Sequence, residues 1–117
     1  MSGYAQDAVS DYTPQQVNEL LDSGDVQLID VRQPHEHDAG RIDGDRLIEL
    51  GRLAGEVGSI DRERPVIFYC RTGSRSAMAS DAFQQAGFDA HNMVGGLVAW
   101  DAAGLPIEPD GGYVAEA

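Results

Sequence analysis

The chain has 117 residues, of which 20 are acidic and 8 basic, giving a formal net charge of −12. That length suits one domain with one core, and so acidic a surface repels polyanions, which excludes nucleic acid and anionic membrane as partners. A single cysteine, Cys70, rules out an intramolecular disulfide, no apolar run reaches transmembrane length, and Met1–Asp7 lacks the basic and apolar character of a leader, so a cytoplasmic protein is expected.

Residues 1–11 are polar and without period, and read as an N-terminal tail. Thr13-Pro14 opens a helix, with Thr13 as N-cap and Pro14 at the first helical position, and Ser23-Gly24 closes it. Val26–Val31 is rich in β-branched residues and predicts a strand. Gln33 to Gly44 is polar with a helical turn from Pro34, Leu47–Leu50 is a weaker extended segment, and Arg52–Val57 is short and helix-like. Pro65 introduces a strand over Val66–Tyr69, and a helix follows the next loop as far as about Ala86, with Ala77, Ala79, Ala82, Phe83 and Ala86 as its apolar positions. Ala90–Val94 is a further strand. Gly95-Gly96 turns into a last helix through Trp100, capped at Gly104 and stopped at Pro106, and residues 108–117 read as a C-terminal tail. Strands alternating with helices predict an α/β domain over 12–107, an open parallel β-sheet flanked by helices on both faces, with its site at the carboxyl ends of the strands.

Cys70 occupies such an end. The apolar run Val66-Ile67-Phe68-Tyr69 gives way there to Arg71-Thr72-Gly73-Ser74-Arg75-Ser76 and then to a helix. Strand, tight loop and helix start point backbone N–H groups and the positive end of a helix dipole at one spot. A thiol at that spot has its pKa lowered towards roughly 3.5–7.5, which makes it a thiolate nucleophile. A cysteine serving only as packing has no use for two arginines, a glycine and two hydroxyls beside it.

Several motifs then fall in order: Leu28-Ile29-Asp30-Val31-Arg32, Glu36, Gly40-Arg41-Ile42-Asp43-Gly44, Val66 to Ser76 around the cysteine, Gly95-Gly96-Leu97, Trp100, and Gly104-Leu105-Pro106. In these the chain resembles a single-domain rhodanese, a sulfurtransferase homology domain. The resemblance implies that Cys70 attacks the outer sulfur of a small-molecule donor such as thiosulfate, holds it as a persulfide, and passes it to a thiol or cyanide acceptor. It implies no cofactor and no metal. Backbone N–H groups of Arg71, Thr72, Gly73, Ser74 and Arg75 would cradle the persulfide, and the two arginines would attract the donor's oxyanion end. Asp30, Arg32, Glu36 and Ser76 would support the loop. The alternative is a persulfide carrier or regulatory module that delivers sulfur to a partner protein.

Spacing argues against a related chemistry. Cysteine-dependent phosphatases place five residues between the nucleophile and the phosphate-clamping arginine, whereas Cys70 and Arg75 are separated by four, a ring sized for one sulfur atom. Among the remaining polar residues, Arg32 is expected to pair with Glu36, His35 and His37 to be solvated, His91 to lie at a surface or edge, and Trp100 to be core. Where the family commonly carries His, Pro and Ala, this chain has Arg41, Asp43 and Asp45, and extra carboxylates beside an anion site would weaken donor binding unless they face solvent.

Overall fold

A computed structural model of the chain describes residues 11–117, so most of the expected N-terminal tail lies outside the described residues. In chain order the elements are β1 (Asp11–Tyr12), α1 (Pro14–Ser23), β2 (Gln27–Asp30), α2 (Pro34–Ala39), β3 (Arg46–Leu47), α3 (Leu53–Glu56, with a 3₁₀ turn on either side), β4 (Val66–Tyr69), α4 (Ser74–Gln85), β5 (Ala90–Met93) and α5 (Gly96–Ala102). The strands form one five-stranded sheet in the order β1-β5-β4-β2-β3, and every pairing is parallel. This is the open parallel α/β sheet that the sequence predicts. No helix among the described residues is long and apolar enough to cross a membrane.

Both faces of the sheet are covered, as the continuous apolar run of β4 requires. One core holds Ile29, Val66, Phe68, Phe83 and Phe88 beneath α3 and α4, and Cys70 belongs to this face. The other holds Leu28, Ile67, Tyr69, Met93, Leu97 and Trp100 beneath α1 and α5. Alternation along β4 therefore sends Tyr69 and Cys70 to opposite sides of the sheet. Thr13 caps α1 as expected, within a capping box shared with Gln16.

The inner face of α4 differs from expectation. Ser76, Ala79, Ser80 and Phe83 are buried, while Ala77, Ala82 and Ala86 are exposed. Phe83 fixes the helix rotation, and positions three, four and seven residues before it turn inward whether or not they are apolar. Two serines thus enter the core, and one of them lies at the sulfur.

The chain termini are also more engaged than tails. Asp11-Tyr12 extends the sheet beside β5. Residues 108–117 dock on the α2–β3 segment: Arg41 and Glu108 exchange backbone hydrogen bonds of 2.8 Å, and Tyr113 N–H donates to Ala39 O at 2.9 Å. Ile107 and Val114 pack against the second core, and that apolar contact is what holds the segment down. His91, expected at a surface or edge, is 6% exposed because β1 covers that side of β5 and Tyr12 packs on its ring at 4.5 Å between centroids.

The 70–73 loop is locked to the first turn of α5. Leu97 N–H donates to Cys70 O at 2.8 Å and Val98 N–H to Arg71 O at 3.0 Å. Gly96 permits this approach: its φ is +60°, and a Cβ there would stand 2.5 Å from the carbonyl oxygens of both Cys70 and Arg71. Gly96→Ala should therefore cost more than about 3 kcal/mol, strain and overpacking together. Gly104 shares a positive φ of +76° but has nothing within 4 Å of a built Cβ, so Gly104→Ala should cost only about 1–2 kcal/mol. Urea unfolding of the two variants measures the difference, and equal losses would refute the interlock.

Candidate active site

At the carboxyl end of β4 the Cys70 side chain is buried, with Sγ ringed by hydrogen-bond donors. Gly73 N–H reaches it at 3.1 Å, Ser76 N–H at 3.4 Å, and Ser76 Oγ lies at 3.3 Å. Gly73 caps α4 with a φ of +102°, which turns the chain so that free N–H groups of the first helical turn converge on the sulfur. Burial pushes the thiol up; hydrogen bonds from the Ser76 hydroxyl and from the N–H groups of Ser76, Gly73 and Thr72 outweigh it and hold the pKa below the ordinary thiol value. A ring of donors around one atom stabilises a thiolate, or an anion bonded to it, better than a neutral thiol.

The charged residues pair differently from the sequence expectation. Arg32 does not meet Glu36. It is fully buried, with Nε and Nη2 on the two oxygens of Asp30 at 2.8 and 2.7 Å, and Nη2 also donating to Gly40 O. The short spacing on one strand end lets Asp30 reach first. Its guanidinium also lies over the Tyr69 ring, 5.4 Å from the centroid. Glu36 instead receives both terminal nitrogens of Arg75, each at 2.9 Å, and the Gln33 N–H at 3.1 Å. Arg75 is therefore committed to holding α4 against α2, with its head group 26% exposed. Thr72 and Ser74 are exposed at the loop's outer rim. The Arg71 side chain forms no hydrogen bond or ion pair among the described residues, and its buried Nε has no partner.

His37 is drawn into a network rather than solvated. Its Nδ1–H donates to Asp30 Oδ2 at 2.9 Å and lies 3.6 Å from Asp45 Oδ2, which accepts the Tyr69 hydroxyl at 2.6 Å. Asp30, His37 and Asp45 bring ligand-type atoms within 4.8 Å of one another, but Arg32 and Tyr69 already occupy the oxygens a cation would use. Burial raises the pKa of Asp45 despite that hydroxyl bond. This carboxylate is tied to Tyr69, which faces away from Cys70 across the sheet, so it is removed from the sulfur without facing solvent. Asp43 is exposed, and Arg41 Nη1 donates to His37 O at 3.3 Å. His35, exposed as expected, has Nε2 3.0 Å from Glu116 O.

Asn92 escaped sequence reasoning. It lies on β5 in register with Phe68, is 8% exposed, and its Oδ1 accepts the Ser76 hydroxyl at 2.6 Å. Asparagine is depleted from strands, so a buried one within a strand run was the available signal.

Comparison with known proteins gives a consistent picture. Residues 13–103 match the rhodanese-like domain family. The chain is 44% identical over 95 residues to a probable adenylyltransferase/sulfurtransferase, MoeZ, of Mycobacterium tuberculosis, covering 78% of this chain but only 24% of that protein. It is 35% identical over 89 residues to a thiosulfate sulfurtransferase, GlpE, of Pseudoalteromonas translucida, covering 75% of this chain and 85% of that one. A crystal structure of a rhodanese-like domain protein from Staphylococcus aureus superposes with a TM-score of 0.75 at 31% identity, over 86% of this chain and all of that one.

The Glu36–Arg75 pair carries a pH signature. Burial pushes the Glu36 carboxyl up, but Arg75 and the Gln33 N–H pull it below the usual carboxylate value. Its contribution to folding is thus complete above about pH 4.3 and is lost as pH falls through the depressed value. Glu36→Gln should cost about 1–3 kcal/mol at neutral pH, since Arg75 keeps some contact with water. The gap between the two proteins in urea unfolding should narrow below about pH 4; a constant gap would show that the ion pair is not its source.

Proposed function

The chain belongs to the rhodanese-like domain family, and on that premise we propose that it is a sulfurtransferase in which Cys70 carries sulfur as a persulfide. The thiolate attacks the sulfane sulfur of a donor such as thiosulfate. A bond forms between Sγ and that sulfur, the donor's S–S bond breaks, and sulfite leaves with the electron pair. A thiol or cyanide acceptor then attacks the outer sulfur and regenerates the Cys70 thiolate with its electron pair. No redox cofactor or metal enters this scheme.

The observation that supports it most is the convergence of the Gly73 N–H, the Ser76 N–H and the Ser76 hydroxyl on one atom. Such a cradle stabilises the anionic sulfur at the start and end of each half-reaction. Arg71, which no carboxylate neutralises, is the cation for the donor's oxyanion end, while Arg75 orients the loop through Glu36. A donor and an acceptor in a reducing cytoplasm fit a chain whose only cysteine is the nucleophile.

A second reading rests on the same cysteine. With no other thiol in the chain to resolve the persulfide, the acceptor comes from outside, and a partner protein could be that acceptor. The MoeZ relative is named for two activities, and this chain spans only 24% of it.

Mixing the protein with thiosulfate and weighing it intact tests the proposal. A gain of one sulfur atom is expected, removed by cyanide and absent in Cys70→Ala. Arg71→Ala should slow loading by about tenfold, the loss of one charge-assisted contact. No gain of sulfur would overturn the enzymatic reading. Slow turnover to cyanide with fast transfer to a protein thiol would favour the carrier.

A further inference from the structure

The sulfur has a donor nearby that is promised elsewhere. Ser76 Oγ lies 3.3 Å from Cys70 Sγ and 2.6 Å from Asn92 Oδ1, and a hydroxyl has one proton. The shorter contact takes it. With the amide oxygen facing Ser76, the hydroxyl turns a lone pair towards the sulfur, which suits a neutral thiol and opposes an anion.

The carboxamide has a second end. A half-turn about its terminal torsion, which is broad and two-fold, places Nδ2 on Ser76 Oγ. Nδ2 then donates to the hydroxyl oxygen, and the Ser76 proton is free to turn to Sγ. No other hydrogen bond has to break for this turn, because the contact to Ser76 is the only side-chain hydrogen bond of Asn92 among the described residues. An apolar residue or a carboxylate at this position could serve one state of the sulfur. An amide, with an acceptor at one end and a donor at the other, serves both.

We propose that Asn92 is a positioning residue that steers the single Ser76 proton, away from Cys70 while it is a thiol and onto Sγ when it is a thiolate. The relay exchanges Ser76 O–H···Oδ1 for Nδ2–H···Oγ–H···Sγ, and ionisation itself releases the thiol proton to solvent. No covalent bond between heavy atoms changes. The inference rests on Cys70 being the nucleophile, and it adds a device that lowers the cost of the thiolate without placing a fixed charge beside it.

The charges that also act on Cys70 are few. Arg75 on α4 faces it with Glu36 of α2 as its partner, Arg71 stands in the loop, and Arg32 at the end of β2 acts on both Arg75 and Glu36 while paired with Asp30. β5 contributes no charge on this side, because His91 and Met93 turn to the opposite face from Asn92.

Two measurements on the full chain test the relay. In the unsubstituted protein, the Asn92 side-chain amide proton signals should move as Cys70 titrates, and should stay flat with pH in Cys70→Ala. The second is the rate of alkylation of Cys70 by iodoacetamide across pH. Asn92→Asp keeps an acceptor on Ser76 and offers no donor, so it should slow alkylation at neutral pH. Because the new carboxylate also repels the thiolate directly, the same change is made with Ser76→Ala. The slowing should be about tenfold greater when Ser76 is present, the lower range for one hydrogen bond to a charged group. Equal slowing in both backgrounds, or amide signals that ignore the Cys70 titration, would overturn the proposal. If Asn92→Asp does not fold, the amide signals alone decide. A protein that shows the coupled titration but takes no sulfur from thiosulfate would keep the relay and lose the sulfurtransferase reading.

Discussion

Everything at this site depends on where the backbone N–H groups of one short loop point. A peptide plane is rigid, so aiming its N–H inward means aiming a carbonyl outward, and the outward carbonyls of Cys70 and Arg71 must be satisfied. Leu97 and Val98 at the start of α5 do that. The helix reaches close enough only because Gly96 has no side chain. The Gly95-Gly96 pair, distant in sequence from the cysteine, is thus as much a part of the cradle as Gly73, which turns the other end of the loop into α4.

Two buried ion pairs hold the frame in which the loop sits, and they work at different depths. Asp30–Arg32 joins the end of β2 to the Gly40 carbonyl and is wholly enclosed. Glu36–Arg75 joins α2 to the first turn of α4 and keeps an edge in water. Both are two-pronged, so they fix orientation as well as distance. Their common consequence is that most positive charge near Cys70 is spent on structure. Among the described residues near Cys70, Arg71 and the oriented N–H groups are what remains to meet an anion.

Much of this was legible in the sequence, and the failures have physical causes. Strand and helix order followed from β-branched runs and from Thr13-Pro14, Gly24 and Gly104, because those signals are local. The cysteine loop was legible because its composition makes no sense as packing. Ion-pair partners were not: Arg32, Asp30, Glu36 and Arg75 lie within reach of one another in space, and sequence separation does not rank three-dimensional distances. The buried face of α4 is hard to read because alanine is nearly as content outside as inside, so Ala77, Ala82 and Ala86 look like a core stripe while Ser80 carries no apolar signal. Asn92 was invisible for the same reason, since its value lies in a partner sixteen positions away.

The acidity of the chain then sets a contrast of scales. A net charge of −12 repels an anionic donor at long range, yet exposed charges are screened over about 8 Å at physiological ionic strength. Inside that distance an anionic donor bound as proposed would meet Arg71 and dipoles aimed at one atom, in surroundings where screening is weak. The short-range field governs what is bound, and the long-range field governs how often it arrives. A site built chiefly from oriented dipoles can tolerate such a surface, because dipoles fixed by the backbone neither titrate nor carry counter-ions. A cradle that relied on a cluster of free cations would have to hold them apart at considerable cost and would lose strength with salt. Steering a serine proton by a neutral amide extends the same logic, adjusting the field at the sulfur without adding charge.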